Sequence, residues 1–190
     1  MGKMKKRIIA VVIALGFVGI ARATLVDSNS IVQDDIEYYI QTDKAIYDLG
    51  ENVQMLYRVT NLGTEDVTFS FGGDPEWNFW VEKDGDYVWQ AVEGWWATIV
   101  NFTLAPSEYK EYPYEWDMRD NDGVLVSLGE YNVIGGFDAG VPDNYEYSRV
   151  SVPIVIIPEP CSLTLFAAGL CILNHFNNKR RNNYVEREKL

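Results

Sequence analysis

A single histidine, His175, stands near the C-terminal end of this 190-residue chain, close behind its two cysteines, Cys161 and Cys171. The middle of the chain therefore offers no imidazole and no thiol, so neither a histidine-based triad nor a His or Cys metal site can be assembled there. Carboxylates are plentiful, with 28 Asp+Glu, yet nothing in their spacing singles out a glycosidase pair. One acidic run is patterned. Asp117-Met118-Arg119-Asp120-Asn121-Asp122-Gly123 intersperses oxygen-bearing side chains and ends on a glycine turn, which is how a loop collects hard oxygen ligands for calcium. An EF-hand register fails, because Gly123 at the turn position puts Met118 at the first ligand position and Gly129 at the last. A looser site made by Asp117, Asp120 and Asp122 stays open, beside a solvated turn whose Asx side chains bond the backbone.

The aromatic residues offer binding rather than bond-making. All 6 tryptophans, Trp77, Trp80, Trp89, Trp95, Trp96 and Trp116, fall in the middle of the chain, more than a small core requires. In an extended run, Trp77, Phe79 and Val81 alternate against Asn78, Trp80 and Glu82, so an inward first set turns Trp80 to the opposite face. Trp95 and Trp96 are adjacent, and adjacent residues of an extended chain point apart, which exposes one of them. Trp80, Trp95 and Trp96 are thus candidate binding aromatics, suited to stacking on sugar rings or anchoring a protein. The alternative is that they cover the ends and faces of the fold. The expectation is a binding protein without enzymatic activity or cofactor.

The elements that carry these residues read as strands. Alternating β-rich runs are separated by turn signals, with no long helical periodicity, which predicts an all-β antiparallel sandwich. The runs are 36–42, 44–49, 53–60, 67–71, 77–83, 87–90, 109–116, 131–137 and 145–157. Asp84-Gly85 between two of them is a strong hairpin signal. Pro153 argues for an edge position in the last strand. Asn101-Phe102-Thr103 matches the N-glycosylation pattern and is read as a chance match.

Composition sets further bounds. With 47% hydrophobic and 23% charged residues and a net charge of −12, the chain is neither a disordered acidic tail nor a multi-span membrane protein. Most basic residues lie at the two ends: residues 24–157 hold 25 acidic against 6 basic side chains, a net charge of −19. Such a surface repels phosphate backbones, so no nucleic-acid partner is expected. At the N-terminus, Lys3, Lys5, Lys6 and Arg7 precede an apolar run over 8–20 and then Ala21-Arg22-Ala23. This is the pattern of a secretory signal peptide over 1–23, with Ala21 and Ala23 presented to the peptidase. At the other end, Pro158-Glu159-Pro160 leads into an apolar stretch over 161–173 and a basic cluster, Lys179-Arg180-Arg181, a stop-transfer pattern that implies a membrane contact. The cysteines lie in this stretch, about 15 Å apart along a helix, too far to bond one another.

The C-terminal arrangement resembles the PEP-CTERM sorting signal of Gram-negative bacteria. It does so through Pro158, Glu159 and Pro160, an apolar core with Gly169-Leu170 in its middle, and Arg180-Arg181. The resemblance covers 158–181, leaves 182–190 as a polar tail, and implies an exosortase-type processing protease and a place at the cell envelope, outer surface or extracellular matrix. The middle, over about 44–140 within a 24–157 domain, resembles the BsuPI-type proteinase inhibitors. That resemblance rests on Val59-Thr60-Asn61, Val67-Thr68-Phe69, Trp77-Asn78-Phe79-Trp80-Val81 with Asp84-Gly85 and Val88-Trp89, Leu104-Ala105-Pro106-Ser107-Glu108 before Tyr112 and Trp116, and Gly129-Glu130-Tyr131. Ser107 stands where the family commonly has glycine. The resemblance implies an immunoglobulin-like sandwich, flanked here by an N-terminal signal helix and a C-terminal hydrophobic helix, that binds a serine protease through exposed loops. The alternative is an exopolysaccharide-binding or structural surface or matrix protein that uses the exposed tryptophans.

Overall fold

The computed structural model describes residues 27–138 and 146–159. They form an all-β body of two sheets facing each other, with a short two-stranded ribbon at one end. The first sheet has the order β1 (Asp27–Gln33), β2 (Ile36–Thr42), β4 (Val53–Asn61), β9 (Tyr109–Trp116), antiparallel throughout. The second runs β3 (Ile46–Asp48), β11 (Val150–Ile157), β10 (Gly129–Phe137), β6 (Trp77–Lys83), β7 (Asp86–Gln90), with only β3 and β11 parallel. β5 (Val67–Phe71) and β8 (Val100–Leu104) pair as the ribbon.

Strict alternation gives each sheet its buried face. In β4, Val53, Met55, Tyr57 and Val59 are buried while Gln54, Leu56, Arg58 and Thr60 turn outward. β2 supplies Ile36, Tyr38 and Ile40 to the same core. The facing sheet contributes Phe79, Val81, Val133 and Phe137 from β6 and β10, and Val152, Ile154 and Ile156 from β11. Phe137 lies at the junction, 5.8 Å from the Tyr57 ring and 6.2 Å from Tyr38 across the sheets, and 4.7 Å from Phe71 of the ribbon. Gly135 lets the sheets close here, since a Cβ at that position would meet Tyr57 at 3.1 Å and Ile40 at 3.2 Å.

Sequence spacing foresaw most strand positions, and Asp84-Gly85 makes the expected two-residue hairpin with φ of 54° and 93°. Two strands escaped it. β1 carries the polar sequence Asp27-Ser28-Asn29-Ser30 and is mostly exposed, held by a two-residue turn at Asp34-Asp35 with φ of 51° and 61°. β8 contains the Asn101-Phe102-Thr103 triplet, whose Thr103 bonds Thr68 across the ribbon at 2.8 Å.

Pro153 lies in a strand with neighbours on both sides, not in an edge strand as its missing N–H had suggested. The neighbour β3 pairs only with 155–157, however, and the Val155 amide donates to Ala45 O on that side. Two residues earlier, the missing amide of Pro153 points to the same side, beyond the end of β3. The expected flanking helices fall outside the described residues, as do Ala21, Ala23, Pro160, Arg180 and Arg181; Pro158 and Glu159 directly follow β11. Among the described residues no helix is long and apolar enough to cross a membrane.

Candidate functional site

The β7–β8 loop, residues 91–99, carries large apolar side chains in an exposed position. Trp95 is 49%, Trp96 80% and Ile99 77% exposed. Large apolar groups left in water on a rigid loop are the usual mark of a partner surface. This loop is held at its start and in its middle. Ala91 extends the β6–β7 ladder by donating to Phe79 O at 2.9 Å. Asn78, 1% exposed, then engages both backbone groups of Val92: its Oδ1 accepts from the Val92 amide at 3.0 Å and its Nδ2 donates to Val92 O at 2.9 Å. The same Nδ2 reaches Asp138 Oδ2 at 3.1 Å. Farther along, Asp74 and Trp96 exchange backbone hydrogen bonds of 3.0 and 2.9 Å. Because Trp96 is fixed through its backbone, its indole is free to project.

The support under the loop is the segment 74–78, which alternates its duties. Asp74 and Asn78 hold the loop, while Glu76 ties the segment to the opposite sheet. Buried Glu76 accepts at Oε1 from Lys110 Nζ at 2.7 Å and from Tyr112 O–H at 2.8 Å, both on β9. Burial by itself raises the Glu76 pKa. The Lys110 ammonium, the residue's own amide and the Tyr112 hydroxyl outweigh that and hold it below the usual carboxylate value. Tyr112 moves the other way, raised by burial and then by the Glu76 charge. Lys110 also lies 4.2 Å over the Phe102 ring, joining the ribbon to this cluster. With Oε1 bonded to both partners, the group is a clamp rather than a proton-transfer site. Sequence reading missed Glu76 because nothing marks one buried acid among so many exposed ones.

The sequence candidates separate. Trp80 does turn away from the core, but it is only 4% exposed: the Arg149 guanidinium stacks on it at 4.2 Å, and Tyr87 lies beside it at 6.4 Å. It is a covered aromatic, since an outward-facing position on a sheet interior is roofed by its neighbours on adjacent strands. Trp95 and Trp96 are both exposed, more than the one that alternation had called for. Trp77, Trp89 and Trp116 pack inward.

The acidic run forms a tight turn. Asp120 Oδ1 accepts from the amides of Asp122 and Val124 at 3.0 and 2.8 Å, and Asp117 bonds the Arg119 amide at 3.2 Å and pairs with its side chain at 3.5 Å. Asp117, Asp120 and Asp122 are not brought together around a common point, and among the described residues no three His, Cys, Asp or Glu side chains gather as a metal site. The turn also reaches β7, where Asn121 Oδ1 accepts from the Gln90 amide at 3.0 Å.

The all-β body thus presents an aromatic loop above a buried Glu76 carboxylate that is closed by hydrogen bonds from Lys110 and Tyr112. Residues 40–139, more than half the chain, match the family described as BsuPI, intracellular proteinase inhibitor, and the chain belongs to that family. No curated protein matches it in sequence. Solved structures similar to it include the CARDB domain of PF1109 from Pyrococcus furiosus, 16% identical over 66% of this chain and 96% of that one with a TM-score of 0.38. Another is a β-glucosidase, EmGH1, from Erythrobacter marinus, 16% identical over 70% of this chain with a TM-score of 0.38, of which the chain spans only 16%. Likenesses this distant bear on neither mechanism nor partner.

Proposed function

We propose that the protein is a proteinase-inhibitor-like binding protein on an immunoglobulin-like sandwich, and that the 91–99 loop is the surface that engages a serine protease. The observation carrying this is Trp96, 80% exposed yet bonded at both its amide and its carbonyl. Ordering a loop on binding costs affinity, and a loop already ordered avoids that cost. An aromatic side chain on such a support is the usual form of a binding hot spot. Membership of the inhibitor family supports the protease as partner.

The sequence at both ends supports a second part of the reading: that the chain is exported by a signal peptide and directed to the cell envelope or surface by its PEP-CTERM-like tail, with an exosortase-type protease as processing partner. The family description says intracellular, so this member would carry the inhibitor fold to a different compartment. Titrating the full chain against a panel of serine proteases, with residual activity read on a small substrate, tests the first part. Saturable inhibition, lost in Trp96→Ala, supports the loop assignment. Fractionation of producing cells, with the product's termini read by mass spectrometry, tests the second, and an intact cytoplasmic chain would overturn it.

A further inference from the structure

The outward face of the four-stranded sheet carries a cation that no hydrogen bond engages. Arg58 on β4 lies in register with Tyr39 on β2 and Glu111 on β9. Its guanidinium stands 4.6 Å from the Tyr39 ring and 5.7 Å from the Tyr109 ring. Its nearest carboxylate, Glu111, is 3.8 Å from Nη1, beyond hydrogen-bond reach, and its buried Nε meets no acceptor. Every other cation among the described residues is hydrogen-bonded: Lys44 to Glu51, Lys83 to Ser127, Lys110 to Glu76, Arg119 to Gly123 O and Arg149 to Asp138. Within a domain whose net charge is −19, Arg58 thus pairs with Glu111 at ion-pair distance without a hydrogen bond to it. Tyr39 is itself held, its hydroxyl donating to Gln41 at 2.8 Å, while Tyr109 is 57% exposed.

We propose that this face is a second binding site, at which Arg58 between Tyr39 and Tyr109 takes the carboxylate of a uronic-acid sugar ring. A guanidinium edge matches a carboxylate with two parallel hydrogen bonds, and an aromatic ring accepts the apolar C–H face of a pyranose. A sugar fits better than an acidic peptide, whose anchors need apolar pockets, because Arg58 stands on the outward face of a sheet, between Leu56 and Thr60 along its strand and Tyr39 and Glu111 across it. The negative field of the domain disfavours densely charged anions such as nucleic acid, whereas a uronate presents one carboxylate per ring to Arg58, the one cation among the described residues that no hydrogen bond engages. The site lies on a different surface from the 91–99 loop and does not depend on protease binding.

Calorimetric titration of the full chain with trigalacturonate, its methyl ester and a polyglutamate peptide tests this. The expected result is saturable binding of trigalacturonate that weakens at least tenfold on methyl esterification. It also weakens at least tenfold in Arg58→Gln and severalfold in Tyr109→Ser, an exposed position whose loss leaves the fold intact. Absence of binding at millimolar sugar, equal affinity for the ester, undiminished binding by folded Arg58→Gln, or preference for polyglutamate would each overturn the proposal.

Discussion

Ser107 sits at φ 67° in the turn Ala105-Pro106-Ser107-Glu108, closed by the Glu108 amide donating to Ala105 O at 2.9 Å. Proline followed by a positive-φ residue is the order of a type II turn, whose third position favours glycine. A side chain there costs about 1 kcal/mol of steric strain, part of which glycine gives back as unfolded-chain entropy. Ser107→Gly is expected to raise stability by about 0.5 kcal/mol, read as a higher urea midpoint at unchanged slope. The departure at this position thus leaves the turn in place and is met by strain. Glu76 gives the pH dependence. Its folded pKa lies below the unfolded value of about 4.3, so its contribution is fully present above that pH and is lost as pH falls through the folded value. Glu76→Gln is expected to cost about 2 kcal/mol at pH 7, because Lys110 loses its counter-charge. The loss should shrink toward pH 3, which paired urea melts at the two pH values would show.

Two asparagines hold loops to strands. Buried Asn61 at the end of β4 donates to Glu65 O at 2.8 Å and Leu104 O at 2.9 Å and accepts from the Gly63 amide at 2.9 Å, which ties the β4–β5 loop to the ribbon. Asn78 does the same for the 91–99 loop. Asn78→Ala leaves the Val92 amide and carbonyl without partners, an expected loss of about 2 kcal/mol by urea melt and roughly tenfold weaker protease binding as the loop loses its fixed shape. These elements were unequally legible. Val67-Thr68-Phe69-Ser70-Phe71 alternates apolar and polar residues without interruption, and that pattern alone places β5 and its buried face. β1 has no such pattern because Ile31 is its one apolar side chain packed, half-buried, against the core. The candidate loop was legible only in part: adjacent tryptophans predicted exposure, but Trp80 reads as exposed until Arg149, distant in sequence, is seen lying on it. Nothing local distinguishes Asn78, whose role depends on a loop fourteen residues later.

At the scale of the whole molecule, the charge of −19 over residues 24–157 sets how partners arrive. A basic protease would be steered in and an acidic one repelled, so the association rate with a basic enzyme is expected to fall severalfold or more as salt rises from low to physiological strength, while the dissociation rate changes little. Stopped-flow measurements at two ionic strengths would separate these rates. Capture of a protease by a pinned aromatic loop on an inhibitor-family sandwich is read out by one comparison. The full chain and its Trp96→Ala variant are titrated side by side against the protease panel. At 80% exposure Trp96 contributes little to folding, so the variant should melt within about 0.5 kcal/mol of the parent. Saturable inhibition is expected of the parent, with at least a tenfold loss in the variant. Equal inhibition by both, or none by the parent at large excess, would contradict it.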